Sequence, residues 1–320
     1  MELIIHIGDA KCGSSSIQKS LCQANDLLRS NNILYHTPEY STSHSAYLSL
    51  NGRNTRVNEF TSRRRATRNI EDIRTLVKNL DIDYVILSSE YFFNLSVGEI
   101  YYYLSKLKLT ITGVHIIGYV RTPDSMYLAM QQQKLKASHY ITPPDKYRRD
   151  IVAIFNEWEP LSKSVHVRLF NKITSVVQDF GQVLESITGL KIDLPEVVIN
   201  ESLSAEQMIV LQKFRQKYLA GRDEQFSDLS NDLIKEFRKM NILYLLGTKP
   251  KLTDSARGAI FRGNQDIIEE FDYNFPNLQL GNLCLAGDIE YDWKVDDVST
   301  ILQDYQQFIV EYLTLTYNSS

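Results

Sequence analysis

One short segment concentrates groups able to hold an anion. In His6-Ile7-Gly8-Asp9-Ala10-Lys11-Cys12-Gly13-Ser14-Ser15-Ser16, a lysine, two glycines and three hydroxyls follow an apolar run, Leu3-Ile4-Ile5, short enough for a buried strand. Ile17 and Leu21 then take the i, i+4 spacing of a helix face. A strand, a tight turn and a helix N-terminus expose the unpaired N–H groups of the first helical turn to whatever the turn encloses. The positive end of the helix dipole points the same way. Lys11 adds a full charge there. Such a cradle suits a phosphate or sulfate, and Ser14, Ser15 and Ser16 are also good N-cap residues.

Two further segments end in polar groups. His115-Ile116-Ile117-Gly118-Tyr119-Val120 runs into Arg121, and Pro123 with Asp124 or Ser125 suits the opening turn of a following helix. Tyr84-Val85-Ile86-Leu87 ends in Ser88-Ser89-Glu90. A hydroxyl acceptor needs a base, and Glu90 and His44 are the candidates; His44 lies in a polar loop, Thr42-Ser43-His44-Ser45, free to titrate near neutral pH. His6, His115 and His166 fall on strands and read as core or supporting groups. Arg53, Arg56, Arg63, Arg64, Arg65 and Arg68 crowd one stretch. That stretch reads as a mobile, solvated loop, with a grip on a carboxylated or sulfated saccharide as the alternative. Lys134, Lys136 and His139 are candidates to line an acceptor cleft.

Residue order narrows the anion. A nucleoside-triphosphate loop reads G-x-x-x-x-G-K-[ST]. Gly8 and Gly13 have that spacing, but position 14 is Ser and the lysine stands two residues before Gly13. The order K-x-G-[ST]-[ST]-[ST] after a strand ending H-I-G resembles the 5′-phosphosulfate loop of sulfotransferases, whose donor is 3′-phosphoadenosine 5′-phosphosulfate. The family usually has Thr where Cys12 stands. Arg121 followed by Pro123 resembles the family element that holds the donor's 3′-phosphate. The family's Ser two turns into that helix is replaced by Ala129, leaving Ser125, a turn earlier, as substitute. Ser88-Ser89-Glu90, the run Val165 to Phe170 and Thr188-Gly189-Leu190 also resemble bacterial, carbohydrate-type members, over roughly the first 190 residues. Phe261-Arg262-Gly263-Asn264 resembles their C-terminal loop-and-helix segment more faintly.

The resemblance implies sulfuryl transfer from that donor to a hydroxyl or amine of a glycan or glycolipid, releasing adenosine 3′,5′-bisphosphate without a metal. Donor binding then falls to Gly8, Lys11, Cys12, Gly13, Ser14, Ser15, Ser16, Arg121, Ser125, Arg262 and Gly263. Catalysis falls to Lys11, on the departing bridging oxygen, with Glu90 or His44 as base. A P-loop kinase-like phosphotransferase and a catalytically degenerate nucleotide-binding module remain alternatives.

The elements needed to position these residues follow from periodicity. Strands over 2–7, 83–88, 114–120 and 164–170 alternate with helices over 15–30, 69–80, 97–106, 124–135, 146–159 and 174–187, and residues 36–68 are loop-rich. This predicts an α/β, P-loop-like three-layer fold: a central parallel sheet with helices on both faces, and ligands at the carboxyl ends of its strands. Helices over 204–219, 226–244 and 296–313 predict a mainly helical portion from 200 to 320 that packs on the sheet and closes over the donor within one domain. The chain's 320 residues, 43% hydrophobic, support a real core. Three cysteines without a C-x-x-C pair suit a reducing, cytoplasmic setting and no zinc site. A net charge of −4 gives no global attraction to nucleic acid, and no apolar run predicts a signal peptide or membrane span. The oligomeric state is left open.

Overall fold

A computed structural model describes residues 1–51, 59–197, 199, 202–240 and 249–285. In chain order the elements are β1 (Glu2–His6), α1 (Ser14–Gln23), α2 (Asn25–Ser30), β2 (Ile33–Leu34), α3 (Glu59–Asn79), β3 (Tyr84–Ser88), α4 (Val97–Leu107) and β4 (Gly113–Val120). Then come α5 (Pro123–Leu135), α6 (Ile151–Trp158), β5 (Ser164–Leu169), α7 (Val176–Thr188), α8 (Ala205–Tyr218) and α9 (Asp228–Met240). The last described are α10 (Asp254–Gly263), α11 (Gln265–Asn274) and α12 (Leu280–Leu285). The chain divides into two compact units. One comprises Met1–Thr122, Asp150–Asn200 and Asp266–Gly281; the other comprises Pro123–Arg149, Glu201–Gln265 and Asn282–Ser320. Residues 123–149 thus group with the later helices.

The first unit holds a five-stranded sheet in the order β2-β3-β1-β4-β5, with every pairing parallel. The middle strands are apolar on both faces because helices cover both, as parallel sheets require. In β1, His6 lies opposite Ser88 of β3 on one side and Ile117 of β4 on the other. The chain leaves β1 and returns on both its flanks, which opens a crevice beyond the carboxyl ends of these strands.

Several boundaries differ from the periodic reading. The helix expected over 15–30 breaks at Ala24 into α1 and α2, and the two-residue β2 was too short to carry a period. Helix α3 begins at Glu59, well before 69, burying Ser62, Ala66, Asn69, Ile70 and Ile73 along one stripe. Small and polar residues on that stripe hid it. The arginines at 63, 64, 65 and 68 are therefore helical and not in a loop. Arg63 donates to Ser49 O at 3.2 Å, Arg68 pairs with Glu39 at 2.8 Å, and Arg65 lies over the Tyr40 ring. Arg53 and Arg56 lie outside the described residues, as do 241–244 and the helix expected over 296–313. The helix expected over 146–159 shortens to α6, whose start is set by Asp150 accepting from the Ala153 N–H.

In the second unit α5, α8 and α9 share a core that includes Leu135, Leu211, Phe214 and Phe237. At its centre Arg215 is fully buried. Its Nη1 donates to Lys136 O and Ser230 Oγ, and its Nη2 to the carbonyls of Ala137, Arg222 and Gln225. Burial pushes its pKa down, the usual penalty on a desolvated charge. Among the described residues no helix is long and apolar enough to cross a membrane.

Candidate functional site

The loop from Ile7 to Gly13 connects β1 to α1 and is fixed mainly by backbone bonds. Ile7 N donates to Ile117 O, Asp9 N to Tyr119 O and Cys12 N to Asp9 O. Lys11 adopts a left-handed conformation (φ 64°), as does Gly13 at the start of α1 (φ 79°). Gly13 is required twice, because a Cβ there would also come within 2.7 Å of Val176 Cγ1. Despite three adjacent serines, no side chain caps α1. Gly13 O receives the N–H groups of Ser16 and Ile17, so the N–H groups of Gly13, Ser14 and Ser15 stay unused by described residues. The turn is thus an open cradle of donors with a cation beside it.

The members of the loop differ in what they offer. Ser15 is exposed and Lys11 half-buried, whereas Cys12 is fully buried. Ser16 is buried, and its Oγ accepts from Ile199 N at 3.3 Å, so it ties a later segment to the loop. Asp9, unflagged by the sequence, is buried with Oδ1 accepting from Ala10 N at 2.7 Å. Gly8 is packed from below: a Cβ there would lie 2.5 Å from both His6 Nε2 and Ser14 Oγ. Those two atoms are buried and have no hydrogen-bond partner among the described residues.

Flanking strands bring two more candidates to the same sheet edge. Arg121 follows β4, half-buried, with its guanidinium 4.2 Å from the Phe170 ring centre. Glu90 opens a short 3-10 turn, Glu90–Asn94, just past β3, whose neighbour Ser89 donates its N–H to His6 O. Ser89 Oγ caps that turn through Tyr91 N, and Glu90, the first residue past the cap, is half-buried.

His44 is not the solvated loop histidine expected. It is fully buried, accepts from Ser88 N at Nδ1 (3.0 Å) and donates from Nε2 to His36 O (3.0 Å). Both ring nitrogens are committed to the backbone, and the ring has no lone pair left for an acceptor hydroxyl. Burial pushes its pKa down from 6.5 to about 4 and that of His6 to about 3. Both rings titrate near 6.5 once unfolded, so below that pH the unfolded chain takes up protons that the folded protein refuses. Stability therefore falls as pH drops from about 6.5 toward 4, by up to about 1.4 kcal/mol per pH unit for each ring. Melting temperatures measured between pH 7.5 and 5 should decline below 6.5; a flat profile would contradict this burial.

The remaining candidates belong to the second unit. Ser125 lies in the first turn of α5, and Ala129, where the resemblance called for Ser, is buried. Arg262 is exposed near the end of α10, and Gly263 O accepts from Arg148 Nη1 at 3.1 Å. The buried Asn264, which follows α10, donates to Tyr147 O and Ile260 O. Lys134 donates to Thr142 Oγ1 and His139 Nδ1 meets Asp223 Oδ1, so both are engaged locally.

His6, which the sequence marked as a core or supporting group, is joined beneath the cradle by Ser88 and Gln18, to which the sequence assigned no such role. His6 Nδ1 lies 2.8 Å from Ser88 Oγ, which also accepts from Gln18 Nε2. Nearby, Asp179 of α7 accepts from the Tyr119 hydroxyl at 2.9 Å and pairs with Arg168, fastening that helix to β4 and β5. The signal for His6 was its position two residues before Gly8, which period-two geometry assigns to the same face.

Neither a family model nor a curated protein sequence matches the chain. Among solved structures, it is similar to a sulfotransferase from Alicyclobacillus acidocaldarius, with TM-score 0.40 and 14% identity over 70% of this chain and 97% of that one. It is also similar to the sulfotransferase domain from the curacin biosynthetic pathway, with TM-score 0.33 and 9% identity over 83% of this chain and 97% of that one.

Proposed function

We propose that the protein is a sulfotransferase that takes a sulfuryl group from 3′-phosphoadenosine 5′-phosphosulfate to a hydroxyl or amine of a glycan or glycolipid. The observation that carries this reading is the uncapped start of α1, with Lys11 ahead of Gly13 and three backbone N–H groups left open. The residues suit the donor's anionic end: a cation, the N–H groups of the first turn that no described residue uses, and the exposed Ser15 with the buried Ser14 belong to one short loop. When bound, that donor supplies an activated sulfuryl group on a phosphate leaving group. Lys11 offsets charge on the leaving oxygen, and Gly13, Ser14 and Ser15 hold the 5′-phosphate. Positioning and electrostatics of this kind carry most of the catalysis in such transfers. Arg121, at the neighbouring strand end, is the candidate for the 3′-phosphate, and Ser125, Arg262 and Gly263 remain candidates on the second unit. Glu90, half-buried just past β3, takes the proton from the acceptor.

Titration calorimetry without magnesium tests this. Adenosine 3′,5′-bisphosphate should bind, and Mg-ATP should not compete. Binding that requires Mg-ATP would replace the reading with a kinase-like one, and a protein that binds the bisphosphate yet turns over no acceptor would be the degenerate module.

A further inference from the structure

The cradle has an inner wall that its loop does not supply. His6 is fully buried at the carboxyl end of β1, its ring held edge-on by Tyr119 and Phe180 at centroid distances of 5.8 and 5.4 Å. One ring nitrogen is anchored: Nδ1 sits 2.8 Å from Ser88 Oγ. The other, Nε2, has no partner among the described residues, and the same holds for Ser14 Oγ, in a residue 5% exposed. Both atoms lie 2.5 Å from the point where Gly8 would carry a Cβ, so they close on the same bare backbone position and can do so only because residue 8 has no side chain. Two orphaned polar atoms converging there at the N-terminus of a ten-residue helix are a built feature, since buried polar groups are otherwise satisfied.

Direction follows from the chain of partners. Gln18 Nε2 donates to Ser88 Oγ at 3.1 Å, so the Ser88 hydroxyl accepts there and has its own proton to give. The Tyr35 hydroxyl spends its own proton on Thr42 O at 2.5 Å, so its oxygen is a second acceptor beside Ser88. The imidazole Nδ1 is the more basic of the two acceptors and lies 2.8 Å away, so we assign the Ser88 proton to it, and the neutral ring then carries its own proton on Nε2. The histidine atom that shares the Gly8 position with Ser14 Oγ is then a donor and offers the Ser14 proton no acceptor.

We propose that His6 is a positioning residue of the anion cradle: held by Gln18 and Ser88 as the Nε2–H tautomer, it turns the Ser14 hydroxyl proton outward onto an oxygen of a bound phosphate or sulfate. The ring works through Ser14 and has no part in proton transfer to or from an acceptor. This deepens the donor reading and rests on it.

Nitrogen-15 NMR of the histidine-labelled full chain gives the first readout, with the His6 signals assigned by their loss in His6→Gln. The proton should reside on Nε2, and adding adenosine 3′,5′-bisphosphate should shift Nε2 more than Nδ1. A proton on Nδ1, or an Nε2 signal indifferent to the ligand, overturns the proposal without resting on the affinity of any variant. Calorimetry gives the second, with inorganic pyrophosphate and the bisphosphate as probes. His6→Ala should weaken both by about tenfold or more, and His6→Gln, which can restore an N–H donor, should recover most of the loss. Undiminished affinity in His6→Ala overturns the role of His6 alone. A parent protein that binds pyrophosphate but not the nucleotide overturns the donor reading alone, and one that binds neither overturns both.

Discussion

A Lys11→Gly protein should melt no lower than the parent, and the sulfuryl transfer proposed for it should fall by ~10²–10³, the usual loss when one donor is taken from a preorganised oxyanion site. The two effects part because of the backbone. Lys11 holds φ at 64°, a left-handed conformation that costs a residue with a Cβ roughly 1–2 kcal/mol and glycine nothing. Removing the side chain relieves that strain and simultaneously removes the charge beside the open N–H groups of α1. Strain kept at a site where glycine would be more stable marks a residue retained for what its head group does. The measurement is a thermal melt beside the release of bisphosphate from the donor, with water or a simple phenol as acceptor. Glu90→Gln is the companion: it should keep bisphosphate affinity while the rate falls ~10²–10⁴, because a base acts on the acceptor and not on the nucleotide. Full activity in Lys11→Gly would remove the lysine from the chemistry.

Gly8→Ala should be nearly as damaging, by a different route. The added methyl would stand 2.5 Å from His6 Nε2 and Ser14 Oγ, closer than any ordinary contact. Neither neighbour can yield cheaply: the imidazole is wedged between Tyr119 and Phe180 and tied to Ser88, and Ser14 belongs to the first turn of α1. The helix start must shift, at a stability cost of about 1–3 kcal/mol typical of overpacking. Because the N–H groups of Ser14 and Ser15 move with it, bisphosphate affinity should fall by about a hundredfold, from displacement of several charge-assisted bonds at once. Calorimetry beside circular dichroism separates the terms, and an alanine variant with parental affinity would show that this packing beneath the loop is unrelated to binding.

Much of this architecture was legible because the middle strands are nearly pure apolar runs separated by turn residues. Leu3-Ile4-Ile5 and Val85-Ile86-Leu87 declare buried parallel strands, and their carboxyl ends carry the loop and Glu90. What escaped was structure that periodicity cannot encode. In α3 the buried stripe includes Ser62 and Asn69, so polar residues inside the molecule hid the first ten positions of the helix. His44 was misread because a histidine among Thr and Ser looks solvated, whereas Ser88 N and His36 O pull it inward through backbone bonds with no sequence signature. The serines after Gly13 read as caps, yet none caps α1, since Ser14 packs against the bare backbone of Gly8 and Ser16 accepts from Ile199 N.

Arg215 gives the second unit a character of its own. Five acceptors drawn from three separate stretches of chain surround one guanidinium with no solvent contact. A half-built version would strand a charge in apolar surroundings, at a penalty of several kcal/mol. The two terminal nitrogens thus tie residues 136–137, 222–225 and 230 to one side chain, and lysine, a single point charge without the planar fork, would leave several of those acceptors unmet.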